Sequence, residues 1–348
     1  MTEKKKLAIA CQGGGSHTAF TAGVLKKLLE TGVHERYDIV GLSGTSGGAV
    51  CATTAWYGLL KLAKGSTEKP YKWLVDFWTK GNAANSIWEE AVNSWIIQSI
   101  CLQDKGLVPT TAASPYNSDW ILNLMTAISP RKEYFDFKAL LEEFIPFEDI
   151  KRIVEPDSPQ LILGACDVLS GDFKDFNSHR GEINVEAIMA SAAIPSLFKA
   201  VQGTYWDGLF SQNPPVRQLI SSNLEKRPDE LWIVQINPKS RTKTPKNAED
   251  IVDRRNELSG NLSLYQEIHF IETVNQWIKD GFFKEEVQQE FKPIEISWIQ
   301  MSPDMSQSLD YSSKLNRSRS FIDRLMNDGE KQAEQFWLKL KLGQPVSA

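Results

Sequence analysis

Within its first sixty residues the chain writes one unit twice: an apolar run, a glycine-rich break, then a run with helical spacing. "KLAIAC" is short and apolar, "QGGGS" breaks it, and "HTAFTAGVLKKLLETG" places Phe20, Val24, Leu25 and Leu28 on one helical face, with Gly32 suited to the stop. "YDIVGLS" repeats the strand and "GGAVCATTAWYGLLKLA" repeats the helix. Strand, helix, strand, helix joined by short loops predicts a parallel sheet with helices on its faces.

The pattern then changes. From about residue 65 to 155 strand signals vanish, and helical stretches such as "YKWLVDFWTK", "SIWEEAVNSWIIQSICL" and "SDWILNLMTAI" follow one another. Trp73, Trp78, Trp88, Trp95 and Trp120 all fall in this helical insertion, which is expected to lie over the sheet edge as a cap. Tryptophans here fill a cap's core or meet a membrane interface, and packing is the commoner use. Strands resume with "PQLILGACDVLSGDFKDFN", a hairpin turning at Ser170-Gly171, and with "ELWIVQINP". A charged helical region over 246–280, the strand "PIEISWIQM" and a helix over 314–340 complete the chain.

Composition narrows the function. With 348 residues, 41% of them hydrophobic, the chain can bury one large core or a core with an attached layer. Lys and Arg number 39 against 44 Asp and Glu, with no basic stripe to follow a phosphate backbone, so nucleic acid is a poor partner. Cys11, Cys51, Cys101 and Cys166 lie far apart without a C-x-x-C pair, which fits reduced thiols inside a cell. The apolar part of the basic start, Leu7 to Cys11, is too short for a secretory signal core. No stretch approaches the ~20 apolar residues of a membrane span. The expectation is a soluble, cytoplasmic protein.

Three motifs carry chemistry. "GTSGG", Gly44 to Gly48, matches G-x-S-x-G between a strand and a helix, where Ser46 would sit at the tip of a strained turn and Gly44, Gly47 and Gly48 would allow close backbone approach. "CQGGGSHTAF" offers consecutive N–H groups to an anion. It lacks the third glycine of G-x-G-x-x-G, since position 18 is Thr18, and it lacks the Gly-Lys-Ser/Thr ending of a P-loop. With a nucleophile turn on the next strand, an oxyanion hole is the better reading than a nucleotide site. "YWDGLFSQNPPV" presents Asp207 at a strand end, followed by Gly208. A serine needs a base, and the four histidines serve poorly. His17 lies in the glycine loop without an orienting carboxylate, His34 is in a helix-to-strand turn, and His269 is mid-helix; with His179 no better placed, a base other than histidine is to be considered.

Together these stretches resemble the patatin-like phospholipases: a glycine loop after the first strand, G-x-S-x-G after the second, and Asp-Gly followed by "NPP" downstream. "ASAAIPSLFKAV" is similar to the segment preceding the Asp-Gly block in that family, and the likeness runs from residue 6 to about 236. "DIVDRRNELSGNLSL" and "LDYSSKLNRSRSFIDRLMNDG" resemble the C-terminal extension of a bacterial branch. The resemblance implies a three-layer α/β fold of patatin type, with a mainly parallel central sheet, a helical insertion and a helical C-terminal extension. It implies a catalytic part over 1–240, insertion included, with 241–348 packed on it. It further implies lipid acyl ester hydrolysis by a Ser46–Asp207 dyad through an acyl-enzyme, with Gly13, Gly14, Gly15 and Ser16 supplying oxyanion N–H groups and no cofactor or metal required. Asp207 would then need partial burial, because an ordinary aspartate is a weak base. The partner implied is a lipid or acyl ester, with peripheral membrane contact as a further expectation; oligomeric state is not legible. Two positions depart from the family pattern: His17-Thr18 stand where Arg/Lys-Gly is common, and Leu209 where Gly or Ala is usual. The alternatives are a thioesterase or small-ester hydrolase with the same dyad, and a non-catalytic lipid- or acyl-binding protein.

Overall fold

Seven strands form one sheet in the order β4-β3-β2-β1-β6-β7, with β5 paired to β3 on the edge opposite β4, beyond the end of β2. They are β1 (Lys6–Cys11), β2 (Asp38–Gly44), β3 (Gln160–Asp167), β4 (Phe173–Asn177), β5 (Tyr205–Asp207), β6 (Glu230–Gln235) and β7 (Glu295–Gln300). β1 runs parallel to β2 and β6, β2 to β3, and β6 to β7. β4 and β5 run antiparallel to β3. The computed structural model describes residues 4–104, 107, 115–195, 197–221, 226–241, 244–246, 248–284 and 292–343. The side chains at 104, 117–122, 221, 248 and 249 fall outside that description, Trp120 among them.

The strict alternation of β1 decides what lies on each face. Leu7, Ile9 and Cys11 point into a large core with the Ala19–Glu30, Gly47–Ala63 and Arg319–Lys341 helices. Ala8 and Ala10 point the other way, and with Leu231 and Ile233 they meet Leu264, Ile268 and Ile271 of the long Ala248–Lys279 helix. The result is the three-layer α/β fold expected, each fully buried Leu or Ile contributing about 1.5–3 kcal/mol. The hairpin expected at Ser170-Gly171 is present, with Gly171 at φ 79° in the left-handed region.

Between 64 and 159 the described residues are helical or irregular, without a strand. This insertion packs against the Gly47–Ala63 helix, the Val185–Ser191 helix and the C-terminal helix. Trp56 and Trp78 are buried and Trp73 and Trp88 half-buried, so these rings serve packing, whereas Trp95 is 62% exposed. Beyond 241 the chain returns to the sheet through β7 and to the core through the C-terminal helix. That helix starts at Arg319, not 314, because Ser312–Leu315 forms a separate 3-10 turn and Asn316 is extended. All four cysteines are free thiols. Among the described residues, no helix is long and apolar enough to cross a membrane.

Register brings the motifs together. Cys11 lies opposite Gly44, so the glycine loop and the Ser46 turn leave β1 and β2 side by side at the carboxyl edge of the sheet. Gly44 lies opposite Leu163, and two residues further along β3, Ala165 pairs with Asp207. Ser46 and Asp207 therefore emerge at the same level of neighbouring strands, where open α/β sheets place their sites.

Candidate active site

Ser46 begins the Gly47–Ala63 helix at φ 56°, ψ −131°, a backbone state that costs a non-glycine residue about 1–3 kcal/mol. The turn is held from outside: the Ser46 N–H donates to the Ser191 carbonyl at 3.0 Å and to Ser191 Oγ at 3.1 Å. Its glycines are in tight backbone contact, Gly44 against Gly48, Gly48 against the carbonyls of Cys11 and Gln12, and Gly47 against the Thr18 side chain. The serine is 7% exposed.

Asp207 is fully buried at the end of β5. Its N–H donates to the Ala193 carbonyl at 3.0 Å, and its Oδ1 accepts from the Leu209 N–H at 2.8 Å. Burial pushes its carboxyl up to about 7, against the Leu209 N–H and the Ser46 hydroxyl, which both favour the ionised form. The serine contact is loose: it bears on the carboxyl, yet Oδ2 closes no full hydrogen bond with any described residue. Such slack is usual where a proton acceptor awaits a reacting group. A carboxyl near 7 with a spare oxygen beside a serine can take that serine's proton at neutral pH.

The glycine loop lies directly on the nucleophile. A Cβ on Gly13 would come within 2.7 Å of Ser46 Cβ, so no other residue fits there. Gly13 departs from the donor role expected of it, because its N–H is already given to Asn213 Oδ1 at 2.7 Å. Asn213 Nδ2 returns a bond to the Gly13 carbonyl at 3.4 Å, so a buried amide clamps this residue from both sides. The N–H groups of Gly14, Gly15 and Ser16 open the 3-10 turn over Gly15–Thr18 and make no hydrogen bond among the described residues. Gln12 ties the clamp together: Nε2 donates to Asn261 Oδ1 and to the Asn213 carbonyl, while Oε1 accepts from the N–H groups of Ile236 and Asn237.

The departures find local partners. Thr18 Oγ1 donates to the Gly15 carbonyl at 2.5 Å and closes the turn. Leu209 packs on Gly260 of the long helix, where an added Cβ would lie 3.0 Å from Leu209 Cδ1. His17 is buried, and desolvation together with the charges of Lys314 and Arg241 holds its imidazole well below its ordinary range. That environment opposes an imidazolium beside the loop, at the position where Arg or Lys is common in the family. His179 and His269 are exposed, with His179 Nε2 on the Ser158 carbonyl. His34 sits in the short Val33–Arg36 helix, its imidazole lowered by burial. No histidine is hydrogen-bonded to Ser46 or Asp207. The positions that sequence reasoning missed are Ser191, Ala193, Asn213 and Asn261. All four lay within stretches already singled out, "ASAAIP", "NPP" and "DIVDRRNELSGNLSL", but nothing local signalled which of their atoms would be used.

A cavity of about 1310 Å³ opens between the end of β6, the start of the long helix and residues 303–310, and neither Ser46 nor Asp207 lines it. Its walls are polar and charged, including Lys239, Arg241, Asp250 and Arg254. The chemistry described above lies elsewhere.

Among curated proteins, no sequence matches this chain. The crystal structure of VipD from Legionella pneumophila is similar over 95% of this chain and 67% of its own, at 14% identity and a TM-score of 0.35, a likeness too slight to bear on the site. A family model described as patatin-like phospholipase matches residues 9–220, from within β1 through Ser46 and Asp207 to the helix after the "NPP" segment. The chain belongs to the patatin-like phospholipase family.

Proposed function

We propose that the protein hydrolyses acyl esters of lipids through Ser46 and Asp207. At the level of the family the activity is lipid hydrolysis; the dyad and the acyl-enzyme are our reading. The observation that carries it is the fully buried Asp207 carboxyl, pushed up to about 7, with an unpartnered oxygen beside the serine of a strained strand-to-helix turn. Ser46 Oγ attacks the ester carbonyl carbon as its proton passes to Asp207 Oδ2. The carbonyl oxygen takes up the negative charge, and the N–H groups of Gly14, Gly15 and Ser16 are the donors we assign to it. Collapse expels the alcohol, which receives the proton from Asp207. Water then attacks the acyl-serine with Asp207 again as base, releasing the acid and restoring Ser46.

Asp207 acts as a base without a histidine because burial has done what an imidazole does elsewhere: it brings the acceptor's proton affinity near neutrality. A fluorophosphonate probe with a panel of phospholipids, lysolipids, acylglycerols and acyl-thioesters tests the reading. Covalent labelling at Ser46 and turnover of at least one oxygen ester are expected. Lipid binding without labelling would make the protein a binder, and turnover confined to thioesters would move it to the thioesterases.

A further inference from the structure

A run of three glycines is a poor place to hold hydrogen-bond donors still, because glycine has the largest backbone freedom to lose. Preorganised donors are what an oxyanion site requires. The loop's own braces are the Thr18 hydroxyl on the Gly15 carbonyl and the His17 N–H on the Gly14 carbonyl. Gly13 is fixed by Asn213, but Gly14 and Gly15 lie beyond that clamp.

Gly14 lies against Ile236 just past β6, and what meets Gly15 comes from the other end of the chain. Gly15 has φ 58°, and a Cβ there would come within 2.6 Å of the Lys314 carbonyl oxygen. Two residues on, His17 Nε2 lies 2.8 Å from Ser313 Oγ. That hydroxyl also accepts from the Asp310 N–H at 2.9 Å and faces the Asp310 carbonyl at 2.8 Å as donor. With its proton given to Asp310, its remaining lone pair faces His17, which assigns the ring proton to Nε2. The turn bearing Ser313 and Lys314 is itself anchored. The Lys314 ammonium pairs with Asp253 and lies 3.6 Å from Glu257, both carboxylates buried on the long helix.

We infer that the Ser312–Leu315 turn positions the Gly14 and Gly15 donors, acting through the Ser313–His17 hydrogen bond and the Lys314 carbonyl against Gly15. Ser313 and His17 are positioning residues; neither touches the reacting atoms. The inference rests on the reading of Gly14 and Gly15 as oxyanion donors. It gives the region beyond residue 300 a role in catalysis even though the family match ends at residue 220.

The test uses the full chain, a chromogenic acyl ester and the fluorophosphonate probe. Ser313→Ala should lower kcat by about 10- to 100-fold with KM within about twofold, the cost of donors displaced by an ångström or less. Ser46 labelling should slow by a similar factor, and the thermal midpoint should stay well above the assay temperature. Ser313→Thr, which keeps the hydroxyl, should restore most of kcat. His17→Leu should lose as much as Ser313→Ala, and the double variant should be no slower than the slower single, because both act through one contact. Wild-type kcat in Ser313→Ala, or losses that simply multiply in the double variant, would overturn the inference while leaving Ser46 chemistry intact. A wild-type protein that the probe does not label at Ser46 would bring down the serine reading and this inference with it.

Discussion

The turn that carries Ser46 and the turn that carries Asp207 face each other, but they are built differently. Ser46 is placed by its neighbours: the end of β2, three glycines within two residues on either side, and the helix that begins at Gly47. From a distance its backbone is held by the pair of bonds to Ser191. Asp207 has a three-residue strand and little else of its own. Its backbone is held by Ala193, its glycine neighbour lies on the Gly164 carbonyl of β3, and the next residue, Leu209, rests on Gly260 of the long helix. A nucleophile needs a shape, which a short stretch can encode. A carboxylate base needs to be dry, and many segments must arrive to exclude water.

The hardest break in this comparison is removal of either partner. Ser46→Ala should lower turnover by at least about 10⁴-fold, and Asp207→Asn should match it, because an amide does not accept the serine proton. The double variant should be little worse than either single. Initial-rate assays over a wide enzyme range measure all three, and appreciable activity in Asp207→Asn would separate the two turns functionally.

A second test uses the dryness of Asp207 itself. Activity needs the ionised carboxyl, so kcat/KM should rise with pH through about 7, falling about tenfold per unit below it. Stability should move the opposite way. The folded state raises this carboxyl from 3.8 to about 7 and so binds the proton more tightly than the unfolded chain. Its contribution is fully present below pH ~4 and is lost as pH rises through about 7. Asp207→Asn removes that loss, so it should melt above the wild type at pH 8 and converge with it near pH 4. Equal midpoints across that range would mean the site is wetter than its geometry indicates.

Asn213→Ala sharpens the contrast at smaller amplitude. It strips the clamp from Gly13 and leaves a buried N–H unpaired, at a cost of about 1–3 kcal/mol. Turnover should fall about tenfold, seen chiefly in kcat. Smallest of all, His34→Ala, His179→Ala and His269→Ala should each stay within about twofold of wild type, since none is hydrogen-bonded to Ser46 or Asp207. A histidine whose loss matched that of Ser46 would turn the pair into a triad.

The elements with a strong period were legible. β1, β2 and the helices after them stand where alternation and glycine breaks put them, and the hairpin at Gly171 follows its turn residue. The C-terminal helix was read five residues too early: "SSKLNRS" is rich in Ser and Asn, which favour turns and caps, and its first turn is a 3-10 turn packed on the glycine loop. Gly13 was read as a donor because a glycine next to a nucleophile invites it; the Asn213 amide that takes its N–H lies two hundred residues away.

What the sequence determined by itself was therefore the parallel sheet, the strained serine turn, the donor-rich loop and the want of a placed histidine. These rest on side-chain period and on glycine at defined offsets, and such signals act over a few residues. Only the tertiary structure decided that Asp207 would be dry, that Gly13 would be clamped, and that Ser313 would stand against His17. Desolvation and the closing of buried hydrogen bonds are properties of how distant segments meet, and no local pattern specifies the atoms at which they do so.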